Sequence, residues 1–121
     1  MSIFTRNVEA YNSYFDEFLE DLPSDKIRNK VLKVLEILIS IKHPNSKFLK
    51  KLQNADDLFE LRVSQGSNEY RLLGFFEGED YSDHFIILNC FLKKETKDYK
   101  PIIQKALQLK FEYYEEEQED D

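Results

Sequence analysis

The change in hydrophobic periodicity at Pro44 is the feature that most restricts how this chain can fold. Before it, apolar residues recur at helical spacing from Ile27 to Ile41. After it, three apolar or alternating runs of strand length follow, namely LFELRVS, YRLLGFF and HFIILNCFL. Turn-like segments, QGSN and EGEDYSD, separate these runs. The chain therefore joins a helical part to a sheet-forming part.

Two helices and a first strand are predicted before this change. RNVEAY alternates weakly and is predicted as the first strand. The segment YFDEFLEDL carries Phe15, Phe18 and Leu19 at helical spacing. Ser24 is a suitable N-cap for the second helix, because its hydroxyl can accept a hydrogen bond from a first-turn backbone N–H. Together these segments predict a strand followed by a helical hairpin.

A last helix is predicted after the third apolar run. Asp98 is a suitable N-cap, and Pro101 falls in the first turn, where its missing N–H costs nothing. Ile103, Ala106 and Leu107 then recur at helical spacing. The predicted fold class is α+β: an N-terminal helical hairpin and a C-terminal helix packed on a small, mostly antiparallel sheet of about four strands.

The distribution of charge divides the chain into a neutral body and an acidic end. The net charge is −7, and the last ten residues alone hold seven acids and no base. We therefore predict a single domain over residues 1–111 and a frayed acidic tail over residues 112–121. Within the body, six lysines stand against two acids between Phe91 and Lys110, so a local basic surface is expected.

Several classes of chemistry find little support in the sequence. His43 and His84 are far apart and Cys90 is the one cysteine, so we expect no metal site, no intrachain disulfide and no cofactor. Cys90 is predicted to be an inert core thiol and His84 a solvated strand end. No apolar run approaches the ~20 residues of a membrane-spanning helix, and the N-terminus lacks a signal-peptide pattern. A cytoplasmic protein is predicted.

Arginines on two adjacent predicted strands are the candidate functional residues. If the strands are neighbours, Arg62, Arg71 and one or both of Lys93-Lys94 converge near one end of the sheet. Cations drawn together in this way favour an anionic ligand. The alternative is that the arginines pair with Glu60 and Glu69 and simply cover a solvent-exposed face. The spacing alone leaves both possibilities open.

Four short motifs in a fixed order carry a resemblance to a known family. They are Glu60-Leu61-Arg62, Tyr70-Arg71-Leu72, Phe91-Leu92-Lys93-Lys94 and the small Ala106 of the closing helix. Over roughly residues 47–114, the chain resembles toxins of the RelE/ParE superfamily, in particular the HigB-like, phage-derived subgroup of type II toxin–antitoxin systems. The resemblance implies a RelE-like fold and a metal-independent endoribonuclease. Such a toxin cleaves messenger RNA, commonly on the ribosome, and a cognate helix-turn-helix antitoxin holds it inactive.

The resemblance also implies roles for individual residues. Arg71 is expected to clamp the phosphate with Arg62 beside it, and Lys93 and Lys94 complete the predicted catalytic set. Further contacts to RNA are predicted for Lys97, Tyr99 and Lys100. The general base stays unassigned because Glu60 stands where several RNA-cutting relatives carry a lysine, and the general acid because Ile103 stands where relatives carry a catalytic tyrosine.

Two other functions stay open at this point. ParE-like relatives inhibit DNA gyrase by contact, and a non-catalytic interaction or phage-accessory domain could share the same fold. Arg62, Arg71 and the two lysines favour the nuclease, whereas the missing tyrosine and the acidic total charge favour the non-catalytic domain. The sequence does not decide whether an antitoxin contacts the N-terminal helices or the basic cleft.

Overall fold

A computed structural model describes residues 3–94 and 99–119, which form three helices and one five-stranded sheet. The predicted α+β class is confirmed, with one strand more than the four expected. In chain order the elements are β1 (Asn7–Ala10), α1 (Tyr14–Asp21), α2 (Asp25–Ser40), β2 (Leu49–Lys51), β3 (Phe59–Gln65), β4 (Asn68–Phe76), β5 (His84–Lys93) and α3 (Tyr99–Glu119).

The sheet is mixed, with the strand order β1-β5-β4-β3-β2. β1 pairs with β5 in parallel, and every other neighbouring pair is antiparallel, as the prediction of a mostly antiparallel sheet requires. The additional strand, β2, has three residues, which are too few to show an alternating pattern in the sequence. It forms because Leu49 pairs with Leu61 of β3 and is buried.

Helices cover both faces of the sheet. Val31 and Leu38 of α2 pack with Leu61 and the other buried residues on the same face of the sheet. Leu109 of α3 packs with Leu73 on the opposite face. Successive strand residues point to opposite faces. The odd-numbered residues of β3 therefore face α2, and the even-numbered ones, with the odd-numbered residues of β4, face α3. This alternation fixes which side chains can meet beside α3.

A bulge in β5, opposite Leu73 and Gly74 of β4, sets the pairing register of the C-terminal half of β5. Gly74 lies opposite Ile87, whereas Leu73 lies opposite Asn89, so β5 contains one extra residue here. A Cβ at Gly74 would lie 2.3 Å from the carbonyl oxygen of Ile86, so the close approach of the two strands requires glycine. The shift places Phe91 opposite Arg71.

The predicted start and end of α2 are confirmed. The Ser24 hydroxyl accepts a hydrogen bond from the backbone N–H of Ile27 at 3.3 Å, as expected of an N-cap. α2 ends at Ser40, before Pro44. Pro101 lies in the first turn of α3, whereas Asp98, the predicted N-cap, falls outside the described residues. No helix in the described ranges has the length and apolar composition needed to cross a membrane.

α3 extends to Glu119 and so includes most of residues 112–121, which the sequence predicts to be a frayed tail. Residues 112–119 are helical. The helix persists because Tyr113 is buried on the sheet, where its ring packs edge-on against Phe75 at a centroid distance of 5.5 Å. The Tyr113 hydroxyl also hydrogen-bonds the carboxylates of Glu77 and Glu117. The tertiary contact that orders this turn comes from a tyrosine, which a count of acidic residues does not reveal.

Candidate active site

The pairing of β3 with β4 places two arginines side by side on the face that α3 covers. Arg62 lies directly opposite Arg71, and Arg71 lies opposite Phe91 of β5. Tyr99, the first residue of α3, reaches the same place. We call the group formed by Glu60, Arg62, Arg71, Lys93 and Tyr99 the arginine cluster.

Glu60 is the centre of the arginine cluster. Its side chain is 3% exposed, and one carboxylate oxygen accepts a hydrogen bond from Arg62 Nε at 2.9 Å. The other oxygen accepts one from the Tyr99 hydroxyl at 3.0 Å and lies 3.9 Å from Arg71 Nε. A buried carboxylate is tolerated only with such partners, and Glu60 has three of them.

Arg71 is held by the protein on every side. Its side chain is 5% exposed, and Nε donates to the Tyr99 hydroxyl at 3.2 Å. One terminal nitrogen donates to the Tyr70 carbonyl at 3.0 Å and the other to the Glu69 carboxylate at 2.8 Å. Each of its three nitrogens therefore has a protein acceptor. A phosphate that approached Arg71 would have to displace one of these bonds.

Arg62 is placed differently. Its side chain is 32% exposed, and Nε is bonded to Glu60. Within residues 3–94 and 99–119, the two terminal nitrogens of Arg62 have no hydrogen-bond acceptor. A guanidinium oriented through its Nε presents its other N–H groups as a planar fork, which matches two phosphate oxygens. Arg62 is thus the arginine that can receive an anion from solvent.

Tyr99 joins Arg71 to Glu60. Its hydroxyl accepts from Arg71 and donates to Glu60. Burial, together with the neighbouring Glu60 carboxylate, raises the pKa of the Tyr99 phenol, although Arg71 acts in the opposite direction. The phenol therefore keeps its proton at neutral pH. The Lys93 ammonium lies 5.5 Å from the centroid of the Tyr99 ring and adds positive charge beside it.

The structure brings together some of the predicted site residues but not all. Arg62, Arg71, Lys93 and Tyr99 meet in the arginine cluster. Among the described residues, no ion pair or hydrogen bond connects the exposed Lys94 or Lys100 to that cluster, and Lys97 lies outside the described residues.

The arginines also have acidic partners, which the prediction of a convergent cation cluster left out. Glu60 and Glu69 pair with them, as the alternative expected, but Glu60 and Arg71 are buried and do not lie on a solvent-exposed face. When Glu69 is counted with the arginine cluster, there are three cations (Arg62, Arg71 and Lys93) and two carboxylates (Glu60 and Glu69). One positive charge is therefore in excess.

Glu60 is absent from the predicted catalytic set although it organises the site. From the sequence we expect Glu60 to be an ion-pair partner of an arginine, because a glutamate two residues before an arginine on a strand is common at a solvent-exposed face. Its burial depends on Tyr99, which is 39 residues away in the chain. The sequence does contain one indication that Glu60 is buried. Glu60 shares its strand face with Arg62 and Leu58, and Leu58 is a core residue.

His84 lies far from the arginine cluster, at the opposite end of β5. Its Nε2 is 2.8 Å from a carboxylate oxygen of Glu9, and its Nδ1 is 3.0 Å from one of Glu77. His84 is the first residue of β5, as predicted, and its side chain is 26% exposed. Its imidazole also bridges β1 and the residue that follows β4. The described residues contain no group of three or more histidine, cysteine or acidic side chains suited to bind a metal ion.

Cys90 is expected to react slowly with thiol reagents in the folded protein. Burial strongly raises the pKa of its thiol, so the reactive thiolate is scarce. At pH 8, alkylation by iodoacetamide should be at least about 100-fold slower in the native protein than in urea. Mass spectrometry of quenched samples gives both rates. Equal rates in the two states would contradict the burial of this thiol.

Comparison with known proteins finds a family and a solved structure that are similar to most of this chain. The model of the family described as phage-derived protein Gp49-like matches residues 17–110. One chain of the crystal structure of the archaeal RelE–RelB complex from Pyrococcus horikoshii OT3 is similar to this chain, with a TM-score of 0.52 and 25% sequence identity. The similarity covers 78% of this chain and 99% of that one. No curated protein sequence matches.

Proposed function

This chain belongs to the phage-derived Gp49-like family, within the RelE/ParE superfamily that its motifs predicted, and on that premise we propose that it is the toxin of a type II toxin–antitoxin system. Its activity in this proposal is endonucleolytic cleavage of messenger RNA without a metal ion. The substrate is messenger RNA on the ribosome, which places the protein in the cytoplasm.

One observation carries the proposal: Arg62 presents two terminal nitrogens toward solvent from within an ordered cationic cluster. Its Nε bond to Glu60 fixes the direction of the fork. Arg71 and Lys93 add positive charge within the same cluster. A phosphate at Arg62 would therefore meet oriented donors that need little rearrangement, which is what transition-state stabilisation requires.

The reaction we propose is attack of a ribose 2′-oxygen on the adjacent phosphorus. The 2′-hydroxyl loses its proton to solvent as its oxygen bonds to phosphorus. The bond to the 5′-oxygen of the next nucleotide breaks and that oxygen gains a proton, so a 2′,3′-cyclic phosphate and a 5′-hydroxyl result. Negative charge on the phosphoryl oxygens grows in the transition state, so the fork of Arg62 stabilises that state more than the ground state.

In this mechanism Tyr99 supplies the proton for the departing 5′-oxygen. A phenol with a raised pKa is protonated at neutral pH. During the reaction its proton leaves the hydrogen bond to Glu60 and passes to the 5′-oxygen, and solvent then returns a proton to the phenol. Arg71 and Glu60 are positioning residues, since they hold the Tyr99 hydroxyl between them. The proposal reverses the roles expected from the resemblance: Arg62 contacts the phosphate, and Arg71 acts through Tyr99.

The partner of such a toxin is a cognate antitoxin. The similar archaeal structure is that of a RelE–RelB complex, which supports a protein partner for this chain. A small helix-turn-helix protein encoded beside the gene is the expected form of that antitoxin. Its absence from the neighbourhood would favour a different partner.

A second candidate is a non-catalytic interaction protein of the same fold. The pairing of both arginines with carboxylates favours it, because Glu60 and Glu69 already neutralise much of the charge that would attract RNA. Inhibition of DNA gyrase by contact is the other non-nuclease possibility within the superfamily.

Induced expression in bacteria separates these functions. The wild type should arrest growth, and primer extension should map new transcript ends within minutes of induction. Growth arrest with intact transcripts but altered plasmid supercoiling would replace the nuclease with a gyrase inhibitor. Normal growth with intact transcripts, at a protein level verified by immunoblot, would leave the non-catalytic interaction protein.

Tyr99→Phe is expected to slow RNA cleavage by about 10- to 100-fold, because it removes a proton donor while the ring stays in place. The free energy of unfolding should fall by only about 1 kcal/mol, the typical loss for one hydrogen-bonded hydroxyl. Single-turnover cleavage of an RNA substrate and urea denaturation measure the two quantities.

Tyr11→Phe is the matched control. The Tyr11 hydroxyl also bonds a carboxylate, that of Glu116, but it lies outside the arginine cluster. Cleavage by Tyr11→Phe should equal that of the wild type. If Tyr99→Phe cleaves as fast as Tyr11→Phe, Tyr99 is not the proton donor.

A further inference from the structure

A second side of α3 carries two aromatic residues that the described part of the protein covers only in part. Ala106, Leu109 and Tyr113 face the sheet and are buried. Phe111, on another side of the helix, is 64% exposed, and Tyr114 next to it is 38% exposed. A surface helix normally has one apolar stripe, so an exposed aromatic pair on a second side indicates an interaction surface.

The exposed residues line a cleft. Its volume is about 320 Å³, enough for one or two large side chains of a partner. Residues from α3, from the loop before β3 and from the loop after β4 form its walls. We call this cleft, with its exposed aromatic residues, the Phe111 surface; it is lined by Asp56, Asp57, Phe76, Gly78, Asp80, Leu107, Lys110, Phe111 and Tyr114.

The rim of the Phe111 surface is acidic. The side chains of Asp56, Asp57 and Asp80 are 74%, 66% and 44% exposed, respectively. Lys51 pairs with Asp57 and Asp80, and Lys110 pairs with Asp56. The rim thus contains three carboxylates but only two ammonium groups. One turn further along α3 the chain is exposed and strongly acidic, from Glu115 to Glu117. A binding partner must therefore bring positive charge.

We propose that the Phe111 surface binds an amphipathic segment of a partner protein, with a large apolar side chain entering the cleft and lysines or arginines meeting the acidic rim. The pattern is that of a helix laid in a groove. The inference rests on the proposed function in one respect: if the chain is a toxin, the partner is its antitoxin.

The Phe111 surface is separate from the arginine cluster. Phe111 lies twelve residues after Tyr99 on α3, which corresponds to about 18 Å along the helix axis. The two sites also have opposite charge, since the arginine cluster has an excess of cations. Binding at the Phe111 surface can therefore be abolished without touching the residues proposed for catalysis.

A selection from a random peptide display library tests the surface without any assumption about the partner. Peptides are selected on the wild type and counter-selected on Phe111→Glu. The expected peptides contain a large apolar residue flanked by lysine or arginine. Recovery of acidic peptides, or of none that depend on Phe111, would overturn the proposal.

Calorimetry on the best peptide gives the size of the effect. Phe111→Glu should weaken binding at least about 30-fold, as expected for the loss of a central aromatic contact. Leu32→Glu is the matched control, because Leu32 is an exposed apolar residue of α2, 43% accessible, outside this surface. It should change the affinity less than about twofold. Equal weakening by both variants would overturn the proposal, and circular dichroism verifies that each is folded.

Antitoxin rescue then tests the identity of the partner. Co-expressed antitoxin should restore growth to cells that carry the wild-type toxin but not to cells that carry Phe111→Glu, which remains toxic. Rescue of both would assign the antitoxin to a different surface. If the wild type is not toxic at all, the proposed function fails, while the peptide experiment still decides whether the Phe111 surface binds a basic amphipathic segment.

Discussion

Replacement of Arg6 by alanine is expected to lower the free energy of unfolding by about 3–5 kcal/mol. Arg6 is 1% exposed, and its guanidinium donates to the carbonyl oxygens of Leu38, Ile41 and Lys42 at the end of α2. Its Nε donates to the Ser82 carbonyl at 2.8 Å. Without Arg6, several buried carbonyls lose their donor and a cavity remains, and both effects destabilise the fold.

Aromatic rings also surround this guanidinium. Its central carbon lies 4.7 Å from the ring centroid of Phe4 and 5.1 Å from that of Phe76. Burial lowers the pKa of Arg6, and the nearby Asp83 partly offsets that effect. The cation is thus held by carbonyl dipoles and rings. Its stabilising contribution depends on all of them at once.

Arg28→Ala is the matched control for Arg6→Ala. Arg28 likewise donates to two helix-end carbonyls, those of Leu19 and Leu22, but its side chain is 32% exposed. Water can replace these bonds, so we expect a loss of about 1 kcal/mol. Urea denaturation of both variants measures the difference. Equal losses would show that the buried position of Arg6 has no special importance.

Arg62→Ala is expected to reduce RNA cleavage by about 100- to 1000-fold, the usual cost of removing one preorganised donor to a developing negative charge. The free energy of unfolding should fall by about 1–3 kcal/mol, because the buried Glu60 carboxylate loses one of its three partners. Arg62→Lys should recover part of the activity, because lysine supplies the charge without the planar fork.

Arg71→Ala distinguishes a phosphate contact from a positioning residue. Arg71 is buried and bonds Tyr99, Tyr70 and Glu69, so its removal should cost about 2–4 kcal/mol of stability as well as activity. If Arg62→Ala keeps full activity while Arg71→Ala loses activity at unchanged stability, the two roles are the reverse of those proposed.

The hairpin that carries the arginines could be predicted from the sequence because its information is local. Strict alternation from Leu58 to Val63 fixes the two faces of β3. The glycine turn at Gly66, with a φ of +62°, then fixes which residues of β4 lie opposite. The neighbouring positions of Arg62 and Arg71 follow from these two features alone.

The features that could not be predicted from the sequence depend on contacts between segments that are far apart in the chain. Arg6 looks like an ordinary surface cation near a terminus, and its acceptors lie in α2 and in the loop that holds Ser82, 76 residues away. The burial of Glu60 depends on Tyr99 in the same way. Local patterns carry little information about a buried polar group whose partners are far away in the chain.

The ends of the RNA products are the most direct test of the central claim that an arginine and a neutral tyrosine cleave RNA without a metal ion. Purified protein is mixed with ribosomes and a defined messenger RNA at a Mg²⁺ concentration that keeps the ribosome intact, and the product ends are analysed by mass spectrometry. The account predicts 2′,3′-cyclic phosphate and 5′-hydroxyl ends for the wild type and about 100-fold less product for Arg62→Ala. Intact RNA with the wild type, or equal cleavage by Arg62→Ala, would contradict it.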